Sequence, residues 1–297
     1  GLELPSYEAG SHIDVHLPNG LVRQYSLCGD PQERMRWRIA VLRESASRGG
    51  SAALHDGVHV GDRLKVGVPR NLFALADAPE HLLIGGGIGI TPLLAMARSL
   101  HAGARPFQLH ACYRSPAHAA FAEELAASPF AGQVHLHFDD ASDKQKFDVT
   151  QVLASAGPGS QTHLYVCGPA GFIDYVLSAA RRLGWAEQRL HREHFAPVPA
   201  PKPTTTAAEG AFELRLARSG RTLAVPADRS VLQVLLGAGV DVPCSCEAGV
   251  CGTCVLPVLE GVPDHRDSFL TPAERDAGGT FVPCCSRALT PVLVVDA

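Results

Sequence analysis

Apolar and polar residues alternate along the first 76 residues with the period of two that half-buried strands require. Ile13, Val15 and Leu17 alternate with polar neighbours, and the turn signal Pro18-Asn19-Gly20 follows them directly. The same alternation recurs further on, at Trp37, Ile39 and Val41 and again at Leu64, Val66 and Val68. Short antiparallel strands at this rhythm predict a small barrel over residues 1–76.

From residue 77 to residue 195 the pattern changes to apolar runs of strand length that alternate with segments of helix length. Leu82-Leu83-Ile84 runs into a group of glycines, and a helix capped by Thr91 is expected to follow. Further strands are predicted at residues 108–113, 134–138 and 163–166, and helices near residues 121–127 and 172–183. This alternation is typical of an α/β domain with a mainly parallel sheet.

Residues 196–209 are rich in Pro and Thr, a composition that favours an extended linker because it cannot build a core. The remaining residues, 210–297, have the pattern of a third and smaller module. Phe212, Leu214 and Leu216 alternate as a strand, and Ser230 is placed to cap an apolar helix. The predicted fold class is therefore α+β multidomain.

The composition is that of a globular protein, with 46% hydrophobic and 19% charged residues among 297. No apolar run reaches the ~18 uninterrupted residues that suggest a membrane span. The net charge is −4 and no block of Lys and Arg occurs, so neither nucleic acid nor a lipid surface is expected as a partner. Nine cysteines, an odd number, indicate a reducing cytoplasm rather than a disulfide framework. The chain begins at Gly1 in what reads as a running domain, which predicts a fragment or a processed product.

Four of the cysteines stand in a spacing that predicts an iron–sulfur cluster. Cys246, Cys251 and Cys254 form the pattern C-x4-C-x2-C, and Cys284 follows after 29 intervening residues. This is the ligand spacing of a plant-type two-iron two-sulfur (2Fe-2S) cluster. A structural zinc site would show two short C-x2-C pairs, whereas this array has one. Strands around one helix, with such a loop, resemble the ferredoxin β-grasp fold.

Two glycine-containing turns follow apolar strands of the predicted α/β domain. The first is the segment Gly85-Gly86-Gly87-Ile88-Gly89-Ile90-Thr91-Pro92, and the second is Cys167-Gly168-Pro169-Ala170. Glycine lets a backbone approach a pyrophosphate, and a helix N-terminus offers free N–H groups. Each turn could instead need glycine only for packing. Two such turns at the carboxyl ends of strands in one sheet favour a nucleotide-binding crevice.

Two short polar motifs in the barrel segment have the chemistry to hold a phosphate and a flat ring. Arg23-Gln24-Tyr25-Ser26 combines a guanidinium, an aromatic ring and a hydroxyl. Arg48-Gly49-Gly50-Ser51 combines a charge with flexible N–H groups and a hydroxyl, as in a phosphate nest. The simpler alternatives are a solvated arginine beside a core tyrosine for the first motif and a capped loop for the second.

All these motifs, with Glu193-His194-Phe195 before the linker, occur in the order of one known family. Together they resemble the reductase component of two-component aromatic-ring oxygenases, of the phthalate dioxygenase reductase and vanillate demethylase reductase type. The resemblance covers nearly the whole chain. It implies four segments: an FMN-binding barrel at 1–76 (incomplete at its N-terminus), an NADH-binding α/β domain of the ferredoxin reductase kind at 77–195, a linker at 196–209 and a plant-type ferredoxin domain at 210–297.

The resemblance also implies roles for individual residues in binding the two organic cofactors. The implied FMN ligands are Arg23, Tyr25 and Ser26, with Arg48, Gly49, Gly50 and Ser51 on the phosphate. The implied NADH ligands are Gly86, Gly87 and Thr91 at the pyrophosphate and Cys167, Gly168 and Pro169 beside the nicotinamide, with Phe195 near the flavin face.

Ser26, Cys167 and Glu193 are implied as the catalytic residues, and neither Ser26 nor Glu193 is expected to act as a general base. The implied cluster ligands are Cys246, Cys251, Cys254 and Cys284. The family places the first cysteine of a Cys-x-Ser-Arg segment on iron, which selects Cys284 over Cys285.

NADH gives up two electrons as a hydride, whereas a 2Fe-2S cluster accepts one at a time, so a flavin is expected between them. The expected function is the passage of electrons from NADH through FMN and the cluster to a separate oxygenase, a Rieske-type aromatic-ring oxygenase or demethylase. Two alternatives stay open: the reductase portion of a fused haem monooxygenase, and a ferredoxin carrier with inactive upstream domains. Arg114-Ser115 stands where NADH users often carry an acid, so NADPH stays open as the donor, although the resemblance favours NADH.

Overall fold

The computed structural model describes residues 3–45, 49–142, 145–157, 161–195 and 210–297. The chain divides into two compact units, Gly1–Phe195 and Ala196–Ala297. The predicted linker at 196–209 and Arg48 of the predicted phosphate nest lie outside the described residues.

The first unit begins with a four-stranded antiparallel sheet and one helix. These elements are β1 Ser11–His16, β2 Val22–Ser26, α1 Gly50–Gly57, β3 Lys65–Val66 and β4 Arg70–Asn71. Strand β1 lies in the middle and pairs with each of the other three. The predicted turn joins β1 to β2, with Gly20 in the left-handed region at φ +81°. Alternate residues of β1 enter a core that includes Ile13 and Val15.

The prediction of a strand around Trp37 to Val41 was wrong, because this segment forms no ladder with any of the described residues. The carbonyl of Arg38 accepts one backbone hydrogen bond, from Cys28 at 2.9 Å, and the segment is otherwise irregular. Trp37 and Ile39 nevertheless pack against the core of the antiparallel sheet. The alternation therefore reflects burial on one side and not strand pairing.

The rest of the first unit is an α/β domain, as predicted. Its elements are β5 Glu80–Gly86, α2 Ile90–Ala102, β6 Phe107–Tyr113, α3 Ala122–Ala126, β7 Val134–Phe138, α4 Val149–Ala156, β8 Thr162–Gly168, α5 Ala170–Arg182 and β9 Leu190–His194. All pairings are parallel, in the order β7-β6-β5-β8-β9. Strand β6 lies on one side of β5, and β8, which comes later in the chain, lies on the other side. The switch in strand order therefore lies between β5 and β8, where ligands bind in such sheets.

Apolar side chains cover both faces of this parallel sheet. On one face Leu83 and Tyr165 pack with α2, and on the other Leu82 and Val166 pack with α4 and α5. Buried strands therefore hold the carboxyl ends of β5 and β8 in a fixed relation.

The described part of the second unit, residues 210–297, contains a five-stranded mixed sheet, a two-stranded pair and two helices. Its elements are β10 Phe212–Leu216, β11 Thr222–Val225, α6 Val231–Gly237, β12 Leu256–Glu260, β13 Pro263–Asp264, α7 Pro272–Ala277, β14 Thr280–Phe281, β15 Arg287–Ala288 and β16 Val292–Val295. The larger sheet has the order β11-β10-β16-β12-β14, with β10 and β16 parallel. Ser230 and Thr271 form capping boxes at α6 and α7. In the part of the chain that the structure describes, no helix is both long and apolar enough to span a bilayer.

Candidate functional site

The two polar motifs of the antiparallel sheet meet at the N-terminus of α1. A β-carbon added at Gly50 would lie 2.8 Å from Cγ of Arg23 and 2.9 Å from its Nε, so glycine is needed for this approach. Gly49 is the N-cap of α1 and lies in the left-handed region at φ +84°. The guanidinium of Arg23 thus lies beside helix N–H groups, an arrangement suited to a phosphate.

The other described members of these motifs are held by local contacts. The hydroxyl of Ser51 accepts a hydrogen bond from the N–H of Glu44 at 3.1 Å. Tyr25 pairs across the sheet with Ile13 and packs against the core, and burial raises the pKa of its phenol. A half-buried ring and a fixed hydroxyl on neighbouring elements fit a flat cofactor with a phosphate.

Ser26, Cys167 and Glu193 come together from three strands of the first unit. Ser26 ends β2, is buried, and donates from Oγ to Oε2 of Glu193 on β9 at 3.4 Å. Glu193 is the register partner of Cys167 on β8. The three residues that the resemblance implied as catalytic therefore lie in one place.

Burial keeps this group of side chains uncharged at neutral pH. Loss of solvation raises the pKa of Glu193 to about 8, against the opposing effect of its bond with Ser26. Burial, with the carboxylate of Glu193 nearby, raises the pKa of the Cys167 thiol well above its usual value. The site therefore offers a neutral carboxyl, a thiol and a hydroxyl.

The two glycine turns touch each other at the carboxyl ends of β5 and β8. A β-carbon at Gly89 would lie 2.3 Å from the carbonyl oxygen of Cys167, and one at Gly168 would lie 3.1 Å from Cα of Gly86. Gly87 is left-handed at φ +56°, with nothing within 4 Å of its β-carbon position. Close packing explains part of the glycine content, and Gly87 leaves open space at the switch point.

Thr91 is not the N-cap of α2, contrary to the sequence prediction. A short 3-10 turn at Gly87–Gly89 leads directly into α2, so the helix begins at Ile90 and Gly89 occupies the cap position. The buried hydroxyl of Thr91 donates to the carbonyl of Ile88 at 3.0 Å. Thr91 thus fixes the glycine turn from inside the first helical turn.

Pro169 and Phe195 flank the same site from the ends of β8 and β9. Pro169 is the N-cap of α5, and its carbonyl accepts the N–H of Phe172 at 2.9 Å. Phe195 directly follows β9 and is 41% exposed, which is high for a phenylalanine. An exposed ring two residues after Glu193 is free to cover a bound flat molecule.

The four predicted ligand cysteines form two sulfur pairs in the second unit. The side chains of Cys246 and Cys251 are neighbours, as are those of Cys254 and Cys284, and Cys284 also neighbours Cys285. Among the described residues, no group of three or more His, Cys, Asp or Glu side chains is arranged to hold a single metal ion. A plant-type two-iron cluster takes two cysteines on each iron, and two neighbouring pairs of cysteine side chains fit that requirement.

Backbone N–H groups support the first of these sulfur pairs. The N–H of Ala248 donates to Sγ of Cys246 at 3.4 Å, and that of Thr253 donates to Sγ of Cys251 at 3.5 Å. The hydrogen bond from Cys246 lowers the pKa of the Cys251 thiol. Such bonds stabilise negative charge on sulfur, which a bound cluster requires.

Cys285 lies behind the ligand loop, with its sulfur close to Gly249 and its side chain next to that of Cys284. A β-carbon at Gly249, which is left-handed at φ +72°, would lie 2.5 Å from Sγ of Cys285. A β-carbon at Gly252 would lie 2.2 Å from the ring of Phe269. The loop can therefore pass close to its supporting segment only with glycine at these two positions.

Asp267 supports this loop and was missed by the sequence reasoning. Its buried carboxylate accepts the N–H groups of Phe269 at 3.0 Å and Leu270 at 2.7 Å. The N–H of the next residue, Ser268, donates to the carbonyl of Gly249 at 2.8 Å. In the sequence, Asp267 is followed by one polar and two apolar residues, and this turn pattern is too common among loops to identify a supporting residue.

Comparisons with known proteins give matches along nearly the whole chain. The profile of the 2Fe-2S iron-sulfur cluster binding domain matches residues 214–289, and that of the oxidoreductase NAD-binding domain matches residues 83–178. A vanillate O-demethylase oxidoreductase of Pseudomonas sp. (strain HR199 / DSM 7063) is 51% identical over 294 residues, which cover 99% of this chain and 91% of that protein.

Several solved structures are similar over all of the chain. Phthalate dioxygenase reductase, described as a modular structure for electron transfer from pyridine nucleotides to [2Fe-2S], has a TM-score of 0.70 and 40% identity, with 90% of its chain covered. An intact type IV self-sufficient cytochrome P450 monooxygenase has a TM-score of 0.86 and 39% identity. This chain spans only 38% of the length of that P450 protein.

Proposed function

The chain belongs to the family of the vanillate O-demethylase oxidoreductases and phthalate dioxygenase reductases, and from that premise we propose that it delivers electrons to a separate Rieske-type oxygenase or demethylase of aromatic compounds. Members of this family are reductase components that pass electrons from NADH through a flavin and a 2Fe-2S cluster, and this chain is such an oxidoreductase. The observation that carries the choice of acceptor is the 51% identity over 91% of a demethylase oxidoreductase.

FMN fits the geometry at the start of α1. Arg23 and the first N–H groups of α1 would hold its phosphate, and Tyr25 would pack on its ring system, with Ser26 at the ring edge. Bound there, the flavin supplies the conversion of one hydride into single electrons, which neither NADH nor the cluster can carry out. The protein supplies phosphate binding, stacking and orientation.

Glu193 and Cys167 would keep the reacting region free of charge. A carboxyl group with its pKa raised to about 8 holds its proton at pH 7, and the buried Cys167 stays a thiol. Glu193 and Cys167 would therefore place no fixed charge beside a bound nicotinamide. Phe195 would exclude water from the same region.

NADH is the donor that the sheet edge favours. Asp139 and Asp140 follow β7, and their N–H groups donate to the carbonyls of Tyr113 at 3.0 Å and Arg114 at 3.3 Å. Two acidic residues therefore neighbour Arg114 at the carboxyl edge of β6. Carboxylates there suit the free ribose hydroxyls of NADH better than a 2′-phosphate.

The cluster would be held by the two sulfur pairs of the second unit, with Cys284 and not Cys285 as the fourth ligand. We also propose the limits 1–76 for the flavin domain, 77–195 for the nucleotide domain, 196–209 for the linker and 210–297 for the ferredoxin domain. Four of the nine cysteines are proposed cluster ligands, and none of the nine, all within the described residues, forms a disulfide, which supports a location in the reducing cytoplasm.

A second candidate is the reductase portion of a fused haem monooxygenase. The TM-score of 0.86 with a self-sufficient P450 favours it, since that protein carries the same kind of region within a longer chain. A haem absorption band in the full-length gene product would select this candidate over the separate oxygenase.

The proposed function is tested with the purified protein, its released flavin and its response to NADH. We expect FMN in the extract, a rhombic EPR signal after NADH addition, and NADH-driven demethylation of an aromatic substrate when a Rieske-type demethylase is added. A zinc-containing protein without flavin, or one that passes no electrons from NADH to any acceptor, would refute the proposal.

A further inference from the structure

Three charged side chains join the antiparallel sheet to the α/β domain within the first unit. Arg98 on α2 donates from Nη1 to the carbonyl oxygen of Cys28 at 2.9 Å. Its Nη2 pairs with Oε1 of Glu124 on α3. Arg38 closes the group, with Nη1 2.8 Å from Oε2 of Glu124. We call these three side chains and the Cys28 carbonyl the Arg98 clamp.

The clamp holds the backbone that continues from the strand carrying Ser26. Cys28 lies two residues after Ser26 and is fully buried. Its N–H donates to the carbonyl of Arg38 at 2.9 Å, and its Sγ donates to the same oxygen at 3.5 Å. The peptide groups on both sides of Cys28 are therefore fixed, one by Arg38 and the other by Arg98.

The other side of the clamp is the helix that begins at the first glycine turn. Arg98 lies seven residues after Thr91, about 10 Å further along the axis of α2. A helix of this length is a stiff rod, so a bond at Arg98 restrains the N-terminal end as well. The clamp thus links the proposed nucleotide-binding end of α2 to the proposed flavin strand β2.

The backbone at the start of α3, just before Glu124, has an unfavourable conformation that needs support from its surroundings. Phe121, the N-cap of α3, is left-handed at φ +65°, an unfavourable conformation for a bulky residue. The guanidinium of Arg38 lies 5.0 Å from the centre of the Phe121 ring, within the range of a cation–π contact. Arg38 therefore fixes both the strained start of α3 and the carboxylate that α3 presents.

We propose that Arg98 is a positioning residue for hydride transfer, setting the distance and angle between the nucleotide on α2 and the flavin on β2. Partly exposed ion pairs contribute little to stability, and the side chains of Arg98, Glu124 and Arg38 are 21%, 32% and 46% exposed. Hydride transfer, by contrast, is sensitive to misplacement on the ångström scale. This inference rests on the proposed function.

The test separates binding from the transfer step by stopped-flow reduction of the flavin over a range of NADH concentrations. We expect Arg98→Ala to lower the limiting rate at saturating NADH by about 10- to 100-fold. The dissociation constant for NADH and the flavin content should stay within about 2-fold, because Arg98 touches neither proposed binding site. Arg98→Lys should recover part of the rate, since an ammonium can bond the Cys28 carbonyl or Glu124 but not both in the same way.

Two further variants keep the test decisive if Arg98→Ala folds poorly. Glu124→Gln keeps the size of the side chain and should give an intermediate loss of rate. Arg181→Ala is the matched control, because Arg181 pairs with Glu187 at 2.5 Å within the α/β domain alone. It removes a comparable ion pair without touching the clamp, and it should leave the limiting rate unchanged.

Hydrogen exchange of the whole chain gives a readout that does not depend on turnover. Arg98→Ala should speed exchange in peptides around Cys28 and Phe121, with and without flavin, whereas Arg181→Ala should not. If wild-type protein shows no flavin reduction by NADH, the proposed function fails. If the flavin of wild type is reduced but the Arg98 and Glu124 variants have the wild-type limiting rate, the positioning role is wrong. It is also wrong if Arg181→Ala lowers the limiting rate as much as Arg98→Ala does.

Discussion

Ser26 and Glu193 are 167 positions apart in the chain, yet the hydroxyl of one lies 3.4 Å from the carboxylate oxygen of the other. Ser26 belongs to the antiparallel sheet and Glu193 to the parallel sheet. Their contact marks the place where the proposed flavin site and the proposed nucleotide site meet. Residues at this contact should affect the transfer step more than they affect the affinity for either cofactor.

Ser26→Ala is therefore expected to slow reduction of the bound flavin by NADH by about 10- to 100-fold, as for other losses of a positioned donor near a reacting atom. FMN content should change little, because Arg23 and α1 would still hold the phosphate. Stopped-flow absorbance at saturating NADH measures the effect. Ser51→Ala, which removes a hydroxyl from the phosphate side, should show the reverse pattern of weaker FMN binding with a nearly normal limiting rate.

Glu193 should also make stability depend on pH in the alkaline direction. Its pKa is raised to about 8 in the folded protein from the ordinary value of 4.5, so the unfolded state loses its proton first as pH rises. Stability from this group is full below about pH 4.5 and is lost progressively up to about pH 8. Glu193→Gln should remove this pH-dependent loss. Between pH 5 and pH 9 its free energy of unfolding should therefore rise by on the order of 2 kcal/mol relative to that of wild type. Urea unfolding at pH 5 and pH 9 measures the free energy of unfolding. The same change with pH in wild type and in Glu193→Gln would contradict this prediction.

Gly89→Ala is expected to disrupt the nucleotide crevice. Its β-carbon would lie 2.3 Å from the carbonyl oxygen of Cys167, so the two glycine turns must separate to admit it. NADH affinity should fall by about 10-fold or more, with a loss of stability of roughly 1–3 kcal/mol from overpacking. Gly171→Ala is the matched control, because nothing lies within 4 Å of its β-carbon position in α5. Titration with NADH distinguishes the two variants, and similar affinities would contradict the role of close turn packing.

Local patterns predicted the parts of this fold that local chemistry determines. Alternation identified β1 and β10, and the glycine turns were placed at the ends of β5 and β8 because glycine marks close backbone approach. The same signal failed at Trp37, since alternation reports which side of a segment is buried and not whether a partner strand exists. The fold class followed from the order of these patterns.

The candidate site was less accessible from sequence reasoning alone. The cysteine spacing was readable because three of the four ligands lie within nine residues. Glu193 had no local signal and was named only through the family resemblance. Arg98, which contacts a carbonyl 70 positions away, and Asp267, which supports the ligand loop, were not found at all. Contacts between distant segments leave no periodicity, so only the folded structure brings them together.

Acid should destabilise the first unit through its buried histidines. Burial lowers the pKa of His110 to about 3 and that of His191 to about 4, from an ordinary 6.5. The unfolded state therefore takes up protons first as pH falls, and stability is lost between about pH 6.5 and pH 3. His110 stacks on His135 with ring centres 4.6 Å apart and bonds His137 at 2.9 Å, beside a cavity of about 500 Å³. Protonation there brings like charges together.

His110→Gln should reduce this acid sensitivity, because the amide cannot take up a proton. We expect wild type to lose on the order of 2 kcal/mol more than His110→Gln between pH 7 and pH 4. Thermal unfolding across that range measures the difference. His59→Gln is the control, since the side chain of His59 is 77% exposed and lies outside the cluster. If both variants follow the wild-type curve, the histidine cluster is not the origin of the acid sensitivity.

Cys284 and Cys285 are adjacent, and only one of them should bind iron. The side chain of Cys284 neighbours that of Cys254, another predicted ligand, whereas Cys285 packs behind Gly249. Cys284→Ser should therefore abolish or strongly alter the EPR signal of the reduced cluster and lower electron transfer to an oxygenase by about 100-fold or more, since one iron loses a thiolate. Cys285→Ser should keep the cluster signal with a modest loss of stability. Flavin reduction by NADH should be normal in both variants, because both changes lie in the second unit. A normal signal in Cys284→Ser together with loss of the signal in Cys285→Ser would show that the ligand assignment is reversed.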